Sequence, residues 1–151
     1  MADIQAEPRP LLPALRSFYG FAIPFSWVVI RFAVGWNLVV HAWGKLQIGP
    51  TANMVKSYAD IGFEPGLYWY WASTMNELIG GIAIILGLFT RFFAAAVAIE
   101  MLIITMVYWK TGFAWTRRGY EYALMWGLVS FAIALRGGGP YSLDRKIGTE
   151  L

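Results

Sequence analysis

The chain has 151 residues, 58% of them hydrophobic and only 14% charged, with a formal charge of +3 and a mean hydropathy of +0.54. A soluble domain carries about a quarter charged residues, so the composition points to one integral membrane domain, and the scattered basic residues offer no nucleic-acid footprint. Cysteine is absent, which excludes thiol–disulfide chemistry and iron–sulfur ligation by these residues; a single histidine argues against a self-contained haem or zinc site, and no metal is expected.

Residues 1–24 read as an N-terminal arm and interfacial segment. Three prolines break the polar stretch 1–16, and no short apolar run ends in a cleavage site, so the first hydrophobic helix is expected to act as its own targeting signal. The apolar residues Ser17 to Phe25, interrupted by Pro24, either lie in the interface or lead into the first span. That span is expected from Phe25 to Gly44. At 100° per residue, Arg31, Asn37, His41 and Lys45 fall within about 120° of arc, one polar face on an apolar helix. The connection 46–67 contains a breaker, Gly49-Pro50, and then a short helix with Thr51 as N-cap and Gly62 as stop. Met54, Tyr58 and Ile61 share one face of it, placing it on the membrane surface or over the bundle as a lid.

The central stretch is Ser73 to Arg91. It carries Glu77 near one end and a seam of Gly80, Gly81 and Gly87, where a neighbouring helix can approach closely. Its span opens with the headgroup-level cluster Tyr68, Trp69, Tyr70 and Trp71 and runs to about Phe89. Thr90-Arg91 allows only a tight turn, so the third span, Phe92 to Trp109 with Glu100 near its middle, is the antiparallel neighbour. A basic aromatic loop, 110–120, precedes a short fourth span from Glu121 to Leu135. Residues 25–136 thus form an all-α, four-helix membrane bundle, and 137–151 a glycine-rich break with a polar tail. No internal repeat is present, which counts against an inverted-repeat transporter.

An ionisable side chain within the bilayer must face protein or water. On a rise of ~1.5 Å per residue, Arg31 lies about 9 Å, Glu100 about 13 Å and Glu77 about 18 Å above the inner boundary. The expected intramembrane ion pair is therefore Arg31 with Glu100, or with Glu77. His41, Lys45, Glu77 and Glu121 form an expected outer cluster. With the termini in the cytoplasm, Arg9, Arg16, Arg91, Arg136, Arg145 and Lys146 lie inside and Lys45, Lys56, Lys110, Arg117 and Arg118 outside. That slight excess favours cytoplasmic termini, and the expected location is the inner (plasma) membrane.

Six motifs in order resemble the DoxX family of small membrane proteins. They are R-x-x-x-G at Arg31 and Gly35, H-x-x-G-K at His41 to Lys45, E-x-x-G-G followed by G-x-x-T-R between Glu77 and Arg91, Glu100-Met101, Gly119-Tyr120-Glu121, and GGGPYSLD. The resemblance covers about residues 25–144. It implies a four-helix membrane bundle associated with oxidoreductase complexes, since the family takes its name from a subunit of a thiosulfate:quinone oxidoreductase. A chain without cysteine speaks against thiosulfate chemistry through its own persulfide.

Three functions are open at this point. The first is a redox-associated membrane subunit that binds a quinone or lipid: His41 or Lys45 donates a hydrogen bond, and Glu77 or Glu121 accepts or relays a proton. Electrons would then come from a partner. The second is a purely structural scaffold subunit in an oligomer or larger membrane complex, and the third a small-molecule transporter. Trp36 and Trp126, in mid-helix, are candidates for protein or cofactor contacts. Lys110, Arg117 and Arg118 are either solvated loop charges or a docking site for an acidic partner or an anion.

Overall fold

A computed structural model of the chain describes residues 11–150. The first ten residues of the expected arm, Arg9 among them, lie outside the described residues. Helix is the only regular structure among the described residues. The longest helix, α1, runs over Leu15–Ile48, 34 residues, with Pro24 inside it, so the apolar segment 17–25 leads straight into the first expected span. A proline ring removes one helical hydrogen bond, yet the flanking apolar residues carry the helix through it.

Thr51 then caps α2, Ala52–Asp60, its hydroxyl accepting from the Met54 N–H at 3.3 Å. Helix α3 covers Gly66–Leu86, α4 Thr90–Tyr108 and α5 Glu121–Arg136, with a short tail helix α6 at Leu143–Ile147. Two tight 3-10 turns, Trp109–Thr111 and Trp115–Arg117, shape the loop between α4 and α5. Of these helices, α1 and α4 are long and apolar enough to cross a membrane. The first half of α3 is rich in Tyr and Trp, and α5 has 16 residues, short of the roughly 20 that a bilayer core asks for.

The four long helices pack in an antiparallel ring, α1 on α3, α3 on α4, α4 on α5, and α5 back on α1. Small residues set the closest approach. A methyl group on Gly81 would sit 2.8 Å from the Gly35 carbonyl oxygen, and one on Gly35 would strike the Gly81 carbonyl. The backbones of α1 and α3 therefore touch, as a small-residue seam allows. Gly80, one step round α3, faces Phe93 and Val97 of α4. The core between the helices is small: Val34, Leu38, Ile84, Ala94, Val97, Met101, Ala123 and Ile133. Outward, every long helix exposes large apolar side chains, such as Phe32 and Trp36 on α1, Ile82 on α3, Leu102 on α4 and Leu128 on α5.

One end of the ring is closed by the tail, the segment read from sequence as a glycine-rich break with a polar end. Asp144 is 2% exposed. One carboxylate oxygen accepts from the Phe89 N–H at 2.7 Å, and the other from the Thr90 N–H at 2.9 Å and the Thr90 hydroxyl at 2.6 Å. Phe89 provides no side-chain cap for α4, so Asp144 supplies it from another element, and a carboxylate there also meets the positive end of the helix dipole. In return the Asp144 N–H donates to the Gly87 carbonyl at 2.9 Å. Arg91 does the converse at the end of α5, donating to the Ala134 and Leu135 carbonyls at 3.1 and 2.6 Å and pairing with Glu150 at 3.0 Å. Gly87 itself has φ +69, and a side chain there would collide with the Arg31 guanidinium.

Asp144→Ala strips three acceptor contacts from buried groups. At about 1 kcal/mol for each hydrogen bond, we predict a loss of about 3 kcal/mol, read as a lower melting temperature in detergent, with Asp144→Asn intermediate.

Candidate functional site

At the opposite end the ring opens into a cavity of about 670 Å³ under α2. Its apolar walls come from α4 and α5: Ala96, Ile99, Met101, Ile103, Ile104 and Ala123. Its polar groups come mainly from α1 and α3: Asn37, His41, Lys45, Ser73, Asn76 and Glu77, joined by Glu100 of α4. Met54, Tyr58 and Ile61, the expected shared face of α2, cover it. Of the two placements expected for that helix, the lid is the one found.

Lys45 ends the polar face of α1, two turns above Leu38 of the core. Its ammonium donates to Glu77 Oε1 at 2.8 Å and to the Ser73 hydroxyl at 2.9 Å. The Tyr58 hydroxyl of α2 reaches the same Ser73 oxygen at 3.0 Å, and the Tyr70 hydroxyl donates to the Lys45 carbonyl at 2.8 Å. One ammonium thus ties α1, α2 and α3 together. The Glu77 side chain is 5% exposed and that of Lys45 24%. An ion pair so placed is held by geometry, because its attraction must offset the loss of hydration of both charges.

Glu100 faces Asn76 across the α3–α4 contact, its Oε2 accepting from the amide at 2.7 Å. Across the cavity the Asn37 amide donates to the Tyr122 hydroxyl, and the His41 ring lies 6.1 Å from that of Tyr122. Three buried polar atoms on the cavity residues have no partner among the described residues: Glu77 Oε2, Glu100 Oε1 and Trp126 Nε1. Buried groups of this kind are ordinarily hydrogen-bonded, and each unmet one calls for a reason.

Two expectations are corrected. Arg31 pairs with neither Glu100 nor Glu77. It is 1% exposed at the closed end, where its Nη2 donates to the Tyr141 carbonyl at 2.7 Å. The reason is register. Burial on α1 begins only at Arg31, because the helix starts at Leu15 and its first half projects past the ring. Arg31 therefore lies level with Gly87, about 15 Å of helix from Glu77. Glu121 does not join the outer cluster with His41, Lys45 and Glu77. As a first-turn residue of α5 it turns back on the loop, its Oε2 accepting from the Trp115 N–H at 3.2 Å. The next residue, Tyr122, rotated by 100°, lines the cavity instead, with Trp126 one turn on.

Sequence reasoning did not single out Ser73, Tyr58, Asn76 or Tyr122 as site residues. A hydroxyl or amide one turn or one step from Glu77, and a Tyr beside an intramembrane Glu, were the available signals. Trp36 is 55% exposed and stacks on Phe32 on the outer face, whereas Trp126 lines the cavity. Lys110, Arg117 and Arg118 are exposed in the α4–α5 loop and form no ion pair among the described residues.

A family model described as DoxX matches residues 26–109, which is more than half of the chain and holds α2, α3, most of α1 and all of α4. No curated protein and no solved structure matches.

Removing one member of the ion pair strands the other. Lys45→Met should destabilise the protein by about 3–5 kcal/mol, while Lys45→Met combined with Glu77→Leu should recover most of that loss. A double-mutant cycle from thermal melts measures both.

Proposed function

The chain belongs to the DoxX family and is a small membrane protein, and from that premise we propose that it is a quinone-binding subunit of a membrane electron-transfer assembly. In this reading all four long helices cross the bilayer. The apolar side chains that each exposes support it, since a belt of that extent needs lipid around it. Fewer than 20 residues in α5 suffice if the helix stands upright and its ends are met by interfacial residues such as Tyr120 and Arg136.

The observation that carries the proposal is the cavity, whose volume and apolar walls suit an aromatic headgroup on a hydrocarbon tail. The unpartnered Glu77 Oε2, Glu100 Oε1 and Trp126 Nε1 are the polar groups such a headgroup would meet. A quinone, when bound, would supply two-electron, two-proton carrier chemistry. Trp126, His41 and Tyr122 would donate hydrogen bonds to its oxygens. Glu77 and Glu100 would hold or pass protons, with Lys45 and Asn76 keeping one oxygen of each carboxylate fixed. The α2 cover limits water on one side, and the α4 wall with Ile99, 60% exposed, is a lipid-facing flank for a tail.

With no cysteine and a single histidine in the sequence, electrons would pass to or from another subunit. Lys110, Arg117 and Arg118, all exposed in the α4–α5 loop, would dock an acidic face of that partner. With the closed end and both termini in the cytoplasm, the cavity would open near the outer face of the inner membrane.

In nanodiscs, a decyl-benzoquinone should quench tryptophan fluorescence saturably, and Trp126→Phe should remove the largest single share of the quenching. Quenching that rises linearly without saturation, and equally in the variant, contradicts the reading.

A further inference from the structure

We propose that the closed end of the bundle holds an anionic phospholipid, its phosphate clasped between Arg136 and Arg145. The site is separate from the open cavity and independent of what fills it. Leu135 and Arg136 at the end of α5, Gly139 and Pro140 of the glycine-rich break and Arg145 of α6 line an open recess of about 640 Å³. Its two guanidinium groups come from different elements and share one space. Neither forms an ion pair among the described residues. The two acids of the described tail are already spent: Asp144 on the start of α4, and Glu150 on Arg91 and the Gly138 N–H.

The walls of the recess are fixed in place. The Trp27 indole N–H donates to the Gly137 carbonyl at 2.7 Å, Arg31 to the Tyr141 carbonyl at 2.7 Å, and the Ser142 hydroxyl to the Gly139 carbonyl at 2.8 Å. Gly139 has φ +74, and a side chain there would strike the Trp27 ring. That ring carries the Arg136 guanidinium over its face, 5.4 Å from the centroid. A guanidinium stacked in this way keeps its in-plane N–H donors for an anion.

Charge and position together name the ligand. Arg31, Arg91, Arg136, Arg145 and Lys146 stand at this end against Asp144 and Glu150, and arginine forks match phosphate oxygens in pairs. The recess also runs into the apolar belt. Leu128, Phe131 and Leu135 are all exposed and form one stripe on the outer face of α5, about 10 Å long. A phosphate at the arginines would lay its acyl chain along that stripe, a contact that a free phosphate lacks. A zwitterionic headgroup brings its own cation to the same arginines, whereas an anionic one does not.

The test is lipid titration of the full chain in detergent, read by native mass spectrometry. One dioleoyl phosphatidylglycerol should be retained, about tenfold more tightly than dioleoyl phosphatidylcholine. Arg136→Gln combined with Arg145→Gln should weaken phosphatidylglycerol binding by about tenfold and leave phosphatidylcholine unchanged. Both side chains are exposed, so the double variant should fold; Arg145→Gln alone spares the stacking on Trp27 and should cost about threefold. Lys110→Gln combined with Arg117→Gln removes the same charge from the α4–α5 loop and should bind as the unaltered chain does. Equal binding of the two lipids, or an equal loss in that control, means attraction by net charge alone and overturns the site. Displacement of phosphatidylglycerol by millimolar inorganic phosphate makes the recess a site for a soluble anion and overturns the lipid. Retention of hexaglutamate where phosphatidylglycerol is not retained makes it a protein-docking face and overturns it too. None of these outcomes bears on the quinone cavity.

Discussion

A lysine and a glutamate meet at 2.8 Å between α1 and α3, in a molecule whose outer surface is apolar, and the open half of the bundle depends on that contact. Lys45 reaches Glu77 because the two helices touch backbone to backbone further along, at Gly35 and Gly81. A side chain at either glycine would separate the helices and pull the ammonium from the carboxylate. The pair in turn positions Ser73 and, through it, Tyr58 of α2. Close approach, charge pairing and the cover over the cavity are therefore one connected constraint.

The two ends of the molecule are built differently. At the tail end charged side chains hold the fold together. Asp144 caps α4, Arg91 caps α5 and Arg31 anchors the Tyr141 carbonyl. Such reciprocal capping satisfies helix termini that water would otherwise have to serve. At the cavity end Glu77, Glu100 and Trp126 each keep one unmet buried atom, as Arg31 keeps two at the tail end, and the walls are apolar. The rigid end fixes the helix register on which the geometry of the open end relies.

Much of this was legible in the sequence. The helix order, the Thr51 cap, the shared face of α2 and the polar stripe of Asn37, His41 and Lys45 all follow from periodicity and capping chemistry. Partners across helices were not legible. Depth measured from Phe25 put Arg31 beside Glu100, but the buried face of α1 starts later than its apolar sequence does. Glu121 and Tyr122 differ by one residue, and only the packing of α5 on α4 decides which of them turns inward. Asp144 closes the GGGPYSLD motif, but nothing in a polar tail says that its carboxylate caps α4, which starts at Thr90 and not at the expected Phe92.

Photoaffinity labelling in native membranes tests the central claim most directly. A decyl-benzoquinone bearing an azide on its ring would be irradiated in vesicles, and the labelled peptides identified by mass spectrometry. The account predicts labels on the residues that face the cavity, within 73–77, 99–104 and 122–126, and their loss with excess unlabelled benzoquinone. Labels confined to the outer faces of the helices, around Phe32, Trp36 or Leu128, and indifferent to the competitor, would show that the molecule meets quinone only as part of the lipid.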